Sequence, residues 1–192
     1  KMKFLYALIF LTVCSWSNAQ DDFPIYYWEE LPDVFGTDTI YGLSLSRMKL
    51  TEVPEDLVRF KNLVSLDLGK NKISELPDFI GDFQFLLHLN LEKNRFEKMP
   101  FVLCQLKTLE GLIMNRNLLT TLPMCIEFMT HLTYLDLYDN PIRSFPDSFE
   151  RMSNLSKVDL SGIRFGPTFQ ETWRARMPNT NFVFDNACEC ME

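Results

Sequence analysis

The chain has 192 residues and a formal net charge of −7, with 46% hydrophobic residues and only two histidines. This length suits one domain with a continuous core. The acidic balance argues against a general nucleic-acid-binding protein, because phosphate binding needs a net basic surface.

Residues 1–19 have the pattern of a secretory signal peptide. Lys1 and Lys3 flank an apolar run, and Ser17-Asn18-Ala19 then supplies a cleavage site of the small-x-small type. The run is too short to span a bilayer comfortably. The pattern therefore predicts an exported protein that resides in the periplasm, on the cell surface or outside the cell.

Two other interpretations of this segment stay open. It is a buried core helix in the first, and in the second Cys14 carries a lipid anchor. Val13 is a poor fit to the small residue that lipidation sites prefer before the cysteine. No later stretch is long enough to be a membrane span.

Residues 20–39 are predicted to cap the N-terminal end of the core, because an open end would expose apolar side chains. An aromatic ligand platform is the alternative. The segment contains the aromatic residues Phe23, Tyr26, Tyr27, Trp28 and Phe35.

From residue 40 to about 165 the chain repeats itself every 23 residues, in five full copies and one partial copy. Apolar residues recur at positions 1, 4, 6 and 11, and an apolar-proline pair at positions 14 and 15. Asparagine occupies position 9 in four copies. The copies start at Ile40, Leu63, Leu86, Leu109, Leu132 and Leu155.

Such a period indicates a solenoid, in which each coil buries its apolar side against its neighbours. Alternation in Leu66-Asp67-Leu68 and its counterparts predicts a half-buried strand. The asparagine is expected to satisfy backbone groups where the chain turns inward. The proline predicts short helical turns or extended segments on the return path.

These residues resemble the leucine-rich repeat family, in its short 23-residue subtype with Leu-Pro in the second half of the repeat, as an exported bacterial-type protein. The resemblance implies an α/β solenoid: a right-handed coil with a parallel sheet on its concave face and short turns on its convex face. It also implies a binding function, since the family consists chiefly of interaction scaffolds.

Residues 166–192 are interpreted as a C-terminal cap and tail. Thr168-Phe-Gln-Glu171 matches a capping box that would begin a helix, and Phe182-Val183-Phe184 predicts a last strand.

Four cysteines follow the signal segment. Cys104 and Cys125 are predicted to lie one coil apart on the convex side, and a bridge between them stays open. Disulfide formation by Cys188 and Cys190 is equally open, and two cysteines alone make a poor metal site.

The candidate binding patch consists of outward-facing strand positions in the third to fifth copies. Tyrosines mixed with carboxylates and amides are typical of protein-binding hot spots, and the tyrosine rings are expected to be exposed. The alternative is a solvated sheet face. The predicted site residues are His88, Asn90, Glu92, Ile113, Asn115, Tyr134, Asp136 and Tyr138.

Positions 8 and 10 form a second candidate surface, named here the basic rim. Its residues are Arg47, Lys49, Lys70, Lys72, Lys93, Arg95 and Arg116. The rim either steers an acidic partner or is a solvated edge balanced by Glu52, Glu75 and Glu97, and the second interpretation is favoured.

Catalysis is not expected, and no cofactor or metal is predicted. The closest approach to a catalytic arrangement is Ser65 beside His88 with Asp67 diagonal to them, without oxyanion donors or a closed pocket. The predicted function is protein–protein interaction through the concave face. The alternative is a carbohydrate- or cell-envelope-binding adhesion module in which Tyr134 and Tyr138 stack on sugars.

Overall fold

The computed structural model describes residues 23–33 and 40–185. One parallel sheet of eight strands runs through them in strict chain order, so each of the six inner strands lies between its sequence neighbours. The strands are β1 (Ile25–Tyr27), β2 (Gly42–Ser44), β3 (Ser65–Asp67), β4 (His88–Asn90), β5 (Gly111–Ile113), β6 (Tyr134–Asp136), β7 (Lys157–Asp159) and β8 (Asn181–Val183).

The repeat sets the strand register. Equivalent residues pair from coil to coil, so Leu66 lies beside Leu89 and Leu89 beside Leu112. These three central strand residues are at most 1% exposed, and alternate positions face outward. The leucines thus form a continuous core between coils, and the outward positions line the concave face.

A ladder of buried asparagines joins the coils behind the sheet. The Asn94 amide nitrogen donates to the Leu68 carbonyl of the previous coil at 3.0 Å and to the Leu91 carbonyl of its own coil at 3.2 Å. Its amide oxygen accepts from the Ile73 N–H at 3.0 Å. Asn71, Asn117 and Asn140 repeat this pattern. The predicted role of position 9 is confirmed.

On the convex side each of the five full copies forms a short 3-10 helix directly after its proline. The proline stands in an extended conformation and the helix backbone begins at the next residue, as a fixed proline φ and a missing donor favour. The helices are Glu55–Arg59, Asp78–Asp82, Phe101–Gln105, Met124–Phe128 and Asp147–Arg151.

A disulfide connects the third and fourth coils on this convex side. Cys104 and Cys125 are bonded, and their Cα atoms lie 5.9 Å apart. The bridge that the repeat spacing left open is therefore present, and it crosslinks two neighbouring 3-10 helices.

The N-terminal segment adds a strand as well as a cover. β1 pairs with β2, which extends the sheet by one strand beyond the repeats. Trp28 meets Phe60 edge to face at 6.2 Å, and Leu31 is buried against the first coil. Phe35 of the predicted aromatic cap lies outside the described residues.

At the other end the structure has the predicted strand and helix, with one correction. The helix α1 spans Pro167–Arg176 and its N-cap is Gly166, without a side-chain cap hydrogen bond. The predicted capping box at Thr168 is wrong, because Pro167 is pre-shaped for the first helical position and moves the start upstream.

The helix α1 packs its aromatic stripe against the last full coil. Trp173 is buried and meets Phe145 at 5.3 Å and Phe149 at 5.5 Å between ring centroids. Arg176 forms ion pairs with Asp147 and Glu150 of the neighbouring 3-10 helix. This end of the core is therefore covered by aromatic rings.

The signal segment 1–19, Cys14 and the tail cysteines Cys188 and Cys190 lie outside the described residues. Within the described ranges, no helix has the length and apolar character needed to cross a bilayer.

The asparagine ladder leads to a first prediction. Asn94→Ala should lower the free energy of unfolding by roughly 2–4 kcal/mol, because it leaves buried carbonyl and N–H groups without partners. Asn154→Ala is the matched control, since Asn154 makes one exposed hydrogen bond to the Thr130 carbonyl. Urea melts measure both. Equal losses in the two variants would contradict a structural role for the ladder.

Candidate functional site

The structure places the predicted site residues on one continuous surface. His88, Gly111 and Tyr134 align across β4, β5 and β6, and Asn90, Ile113 and Asp136 align beside them. Glu92, Asn115 and Tyr138 follow two residues later in the same three coils. The eight residues therefore form a single patch, named here the concave patch.

The residue at position 5 of the repeat has a structural role that the sequence analysis did not predict. The side chain at this position accepts a hydrogen bond from the backbone N–H two residues later, which holds the turn after each strand. The donor and acceptor pairs are Ser46 to Ser44, Gly69 to Asp67, Glu92 to Asn90, Tyr138 to Asp136, and Ser161 to Asp159. In the fourth copy this position is Ile113, which has no polar side chain to accept such a hydrogen bond.

Asn90 and Asp136 therefore serve the fold in addition to any binding role. Asn90 is half-buried, and its oxygen lies 2.8 Å from the Glu92 nitrogen. Asp136 is only 9% exposed. The sequence analysis placed both residues at outward-facing positions, but their short side chains bend back to satisfy their own turns and are not free in solvent.

The two tyrosines are held by cations from neighbouring positions. The Arg116 guanidinium lies over the Tyr138 ring at 5.4 Å, and the Lys157 ammonium lies over the Tyr134 ring at 5.3 Å. Both rings are half-buried rather than exposed as expected. Such pairs orient the rings and bring positive charge into the patch.

Arg116 and Lys157 thus belong to this surface although they were not among the predicted site residues. Lys157 is the register partner of Tyr134 on the next strand. That pairing was visible in the repeat alignment, but a lysine beside a tyrosine was not recognised as a ring contact.

Asp136 and Asn115 form the polar centre of the patch. The Asn115 amide nitrogen donates to the Asp136 carboxylate at 2.6 Å. The Asn115 amide oxygen is buried and has no protein donor in the described part of the chain. An amide oxygen in this position is suited to a hydrogen bond from a bound partner.

Burial raises the pKa of Asp136 above its usual range, and the nearby charges of Asp159 and Glu92 raise it further. Hydrogen bonds from Asn115 and the Tyr138 backbone oppose this rise in pKa. Burial likewise raises the pKa of Asp67 in the third strand. The concave face therefore holds two carboxylates whose ionised forms are destabilised by their surroundings.

Glu92 links the concave patch to the basic rim. Its carboxylate lies 3.2 Å from the Lys70 ammonium and 3.9 Å from the Arg116 guanidinium. In the described part of the chain, no ion pair joins the rim to Glu52, Glu75 or Glu97. The interpretation of the rim as a solvated edge with these three glutamates in the same loops stays a prediction.

The arrangement of Ser65, His88 and Asp67 has little catalytic character. Ser65 and His88 are register partners, as expected. The Asp67 oxygens, however, accept from the Gly69 N–H at 2.8 Å and from the Ser44 hydroxyl at 3.4 Å, so its carboxylate is engaged by the fold. Among the described residues, no group of three or more potential ligands is placed to hold a metal ion.

The raised pKa of Asp136 leads to a second prediction. A carboxyl that is easier to protonate in the folded state stabilises the fold fully below its unfolded pKa, and this contribution is lost as pH rises through the folded pKa. Asp136→Asn should therefore gain stability over the wild type near pH 7, and lose this advantage toward pH 4. Asn90 shows that an amide accepts the same turn hydrogen bond.

Urea melts at the two pH values measure the difference. The exposed Asp82→Asn carries the same change of charge and controls for net charge. An advantage of Asp136→Asn that is independent of pH would contradict the burial effect.

Comparison with known proteins agrees with this architecture. The family described as a leucine-rich repeat region matches residues 43–180. Among solved structures, a leucine-rich repeat protein of Leptospira interrogans superposes with a TM-score of 0.69 at 25% sequence identity. The match covers 82% of this chain and 46% of that protein, so the chain spans less than half of its length. No curated protein matches the sequence significantly.

The family match extends over most of the described coils and coincides with the repeated strands and turns. Proteins of this family are in general interaction modules rather than enzymes. The chain belongs to the leucine-rich repeat family.

Proposed function

We propose that this chain is an exported leucine-rich repeat protein that binds another protein through the concave patch. The observation that carries this proposal is the pair of oriented tyrosines on β6 and in the turn after it, next to the half-buried Ile113 of β5. Tyrosine and arginine are enriched at interface hot spots. Rings that are already held in place lose little conformational freedom when a partner binds.

The polar groups of the patch favour a partner with hydrogen-bond donors. The Asn115 amide oxygen and the carboxylates of Glu92 and Asp159 are acceptors within or beside the patch. Arg116 and Lys157 add positive charge around the tyrosines. A polypeptide segment offers backbone N–H groups and side chains of both charges, and so suits this mixed surface.

The carbohydrate-binding alternative is less well supported on this face. Sugars stack on open aromatic faces, whereas Arg116 and Lys157 already lie over Tyr138 and Tyr134. A neutral glycan would have to displace these cations from both rings.

Export is supported by two independent features. The signal-peptide pattern in residues 1–19 is the first. The second is the Cys104–Cys125 disulfide, because structural disulfides persist mainly in oxidising compartments.

The tyrosine pair leads to a third prediction. Tyr134→Ala combined with Tyr138→Ala should weaken binding of a captured protein partner roughly 1000-fold, since anchors of this type contribute about 2 kcal/mol or more each. The variant serves first in quantitative pull-downs from the source cell envelope. The most strongly captured protein is then purified and its affinity measured by calorimetry.

Tyr41→Ala is the matched control, because Tyr41 is exposed and lies before β2, away from the patch. It should capture the same partner as the wild type. Urea midpoints verify that all variants are folded. If the partner binds the double variant as tightly as the wild type, the concave patch is not its binding site.

Export leads to a fourth prediction. Mass spectrometry of the exported protein should find a mature chain that begins at Gln20, and non-reducing digestion should give one crosslinked peptide containing Cys104 and Cys125. An uncleaved product with free thiols at both positions would contradict export. A mature chain that starts at an acylated Cys14 would instead support the lipid-anchored alternative.

A further inference from the structure

The basic rim has an unusual backbone conformation. Position 8 has a positive φ in every coil, and four successive coils place a cation there: Arg47 (64°), Lys70 (59°), Lys93 (52°) and Arg116 (53°). Lys49 at position 10 of the first copy also has a positive φ, of 61°.

The turn requires this conformation, but it does not require a cation. The Lys70 N–H donates to the Glu92 carbonyl at 2.7 Å and the Lys93 N–H to the Asn115 carbonyl at 2.8 Å, so the backbone ladder continues into the turn. Glycine and asparagine adopt a positive φ most readily, whereas other L-residues pay roughly 1 kcal/mol or more. The row of cations ends after the fourth copy, because the fifth copy has Asp139 at this position and the last copy has Gly162.

A long cation is an unusual residue at a strained backbone position. An outlier of this kind is a reason to look for a function. Four coils keep a long cation where glycine or asparagine would relieve the strain.

Most of these charges are also available to a ligand. Glu92 takes part of the charge of Lys70 and Arg116. Among the described residues, no carboxylate lies within ion-pair distance of Arg47 or Lys93, or of the three position-10 cations Lys49, Lys72 and Arg95. Five of the seven rim cations thus have no ion pair among the described residues, although the chain as a whole is acidic.

The row has a regular geometry. Neighbouring strands of a sheet lie about 4.8 Å apart, and position 8 follows the strand directly, so one cation is presented per coil at about that spacing. A shallow depression of about 360 Å³ lies between Arg47, Lys70 and Lys93, with the buried Asn71 at its base. No acidic or apolar side chain lines it.

We propose that the basic rim binds a linear anionic polysaccharide that carries one carboxylate or sulfate per sugar and runs across the coils. Its anionic groups repeat along an extended chain, as the cations repeat along the solenoid. Each sugar presents its charge to one coil, and the depression accommodates the ring between successive cations.

A polysaccharide fits this surface better than a protein or a nucleic acid. Protein hot spots centre on buried aromatic or aliphatic anchors, and the depression offers none. Single-stranded nucleic acids are held by aromatic stacking as well as charge, and the rim residues include no aromatic side chain. The rim shares Arg116 with the surface around the concave patch, but the depression between Arg47, Lys70 and Lys93 lies outside that patch. The proposal therefore does not depend on the function proposed for the patch.

The test uses the full chain and polygalacturonate, with its fully methyl-esterified form as the neutral ligand of the same backbone. Polyglutamate and a single-stranded oligonucleotide are the competing polyanions. Calorimetry should detect polygalacturonate binding at low salt that weakens as salt increases, because screening reduces the attraction of exposed charges. The esterified polymer should not bind.

The decisive variant is Arg47→Asn combined with Lys93→Asn. Asparagine tolerates a positive φ, so the urea midpoint should not fall, while polygalacturonate affinity should drop roughly tenfold. Lys61→Asn combined with Lys107→Asn removes two exposed charges at position 22, near the end of the repeat, and should leave affinity unchanged.

Absence of polygalacturonate binding would overturn the proposal. Equal affinity for polyglutamate or the oligonucleotide would overturn the assignment to a polysaccharide, and equal losses in the two double variants would overturn the assignment to the rim. Because Tyr134 and Tyr138 are intact in both variants, failure here does not affect the protein-binding proposal for the concave patch.

Discussion

The fold depends on one repeated interaction, the bridge that each buried asparagine makes between its own coil and the previous one. Asn71 shows it fully: its amide nitrogen donates to the Leu45 and Leu68 carbonyls, and its oxygen accepts from the Leu50 N–H. One side chain thereby satisfies backbone groups that would be costly to bury unpaired. Because the asparagine follows the strand at a constant distance, it also holds neighbouring strands in register, and the register creates the two surfaces discussed above.

The strands and turns of the repeats could be predicted from the sequence, because the positions of the repeated residues indicate which side chains are buried. Leucines at positions 4 and 6, the asparagine at position 9 and the proline at position 15 each have one physical role, and the strands and 3-10 helices follow from them. β1 was not recognisable in the same way, since Ile25–Tyr27 has no repeat motif around it and is defined by its pairing with β2.

The candidate site was predicted less completely, for reasons that particular residues make clear. Alternation predicts that position 5 points outward, but it does not reveal that Asp136 turns back to accept from the Tyr138 N–H. Nor does it show that Lys157 reaches the ring of Tyr134 on the preceding strand. Each of these side chains can either point into solvent or contact a neighbour. Only the three-dimensional distances between residues determine which of the two occurs.

The two surfaces differ in how they present charge. The concave patch contains carboxylates that the fold partly buries, whereas the rim presents cations on strained turns. Glu92 stands at their boundary and contacts Lys70 and Arg116. An acidic protein is thereby able to display two chemically different faces within a few residues of each strand.

The disulfide between Cys104 and Cys125 has a consequence for how such a stack comes apart. In a solenoid each coil contacts only its neighbours, so stability is close to a sum over successive interfaces. A covalent link between the third and fourth coils strengthens the interface in the middle of the row. Coils then separate first at the two ends of the stack, and the disulfide keeps the third and fourth coils close together. The central interface, which joins β4 to β5 within the concave patch, is accordingly the last to open and the first to re-form.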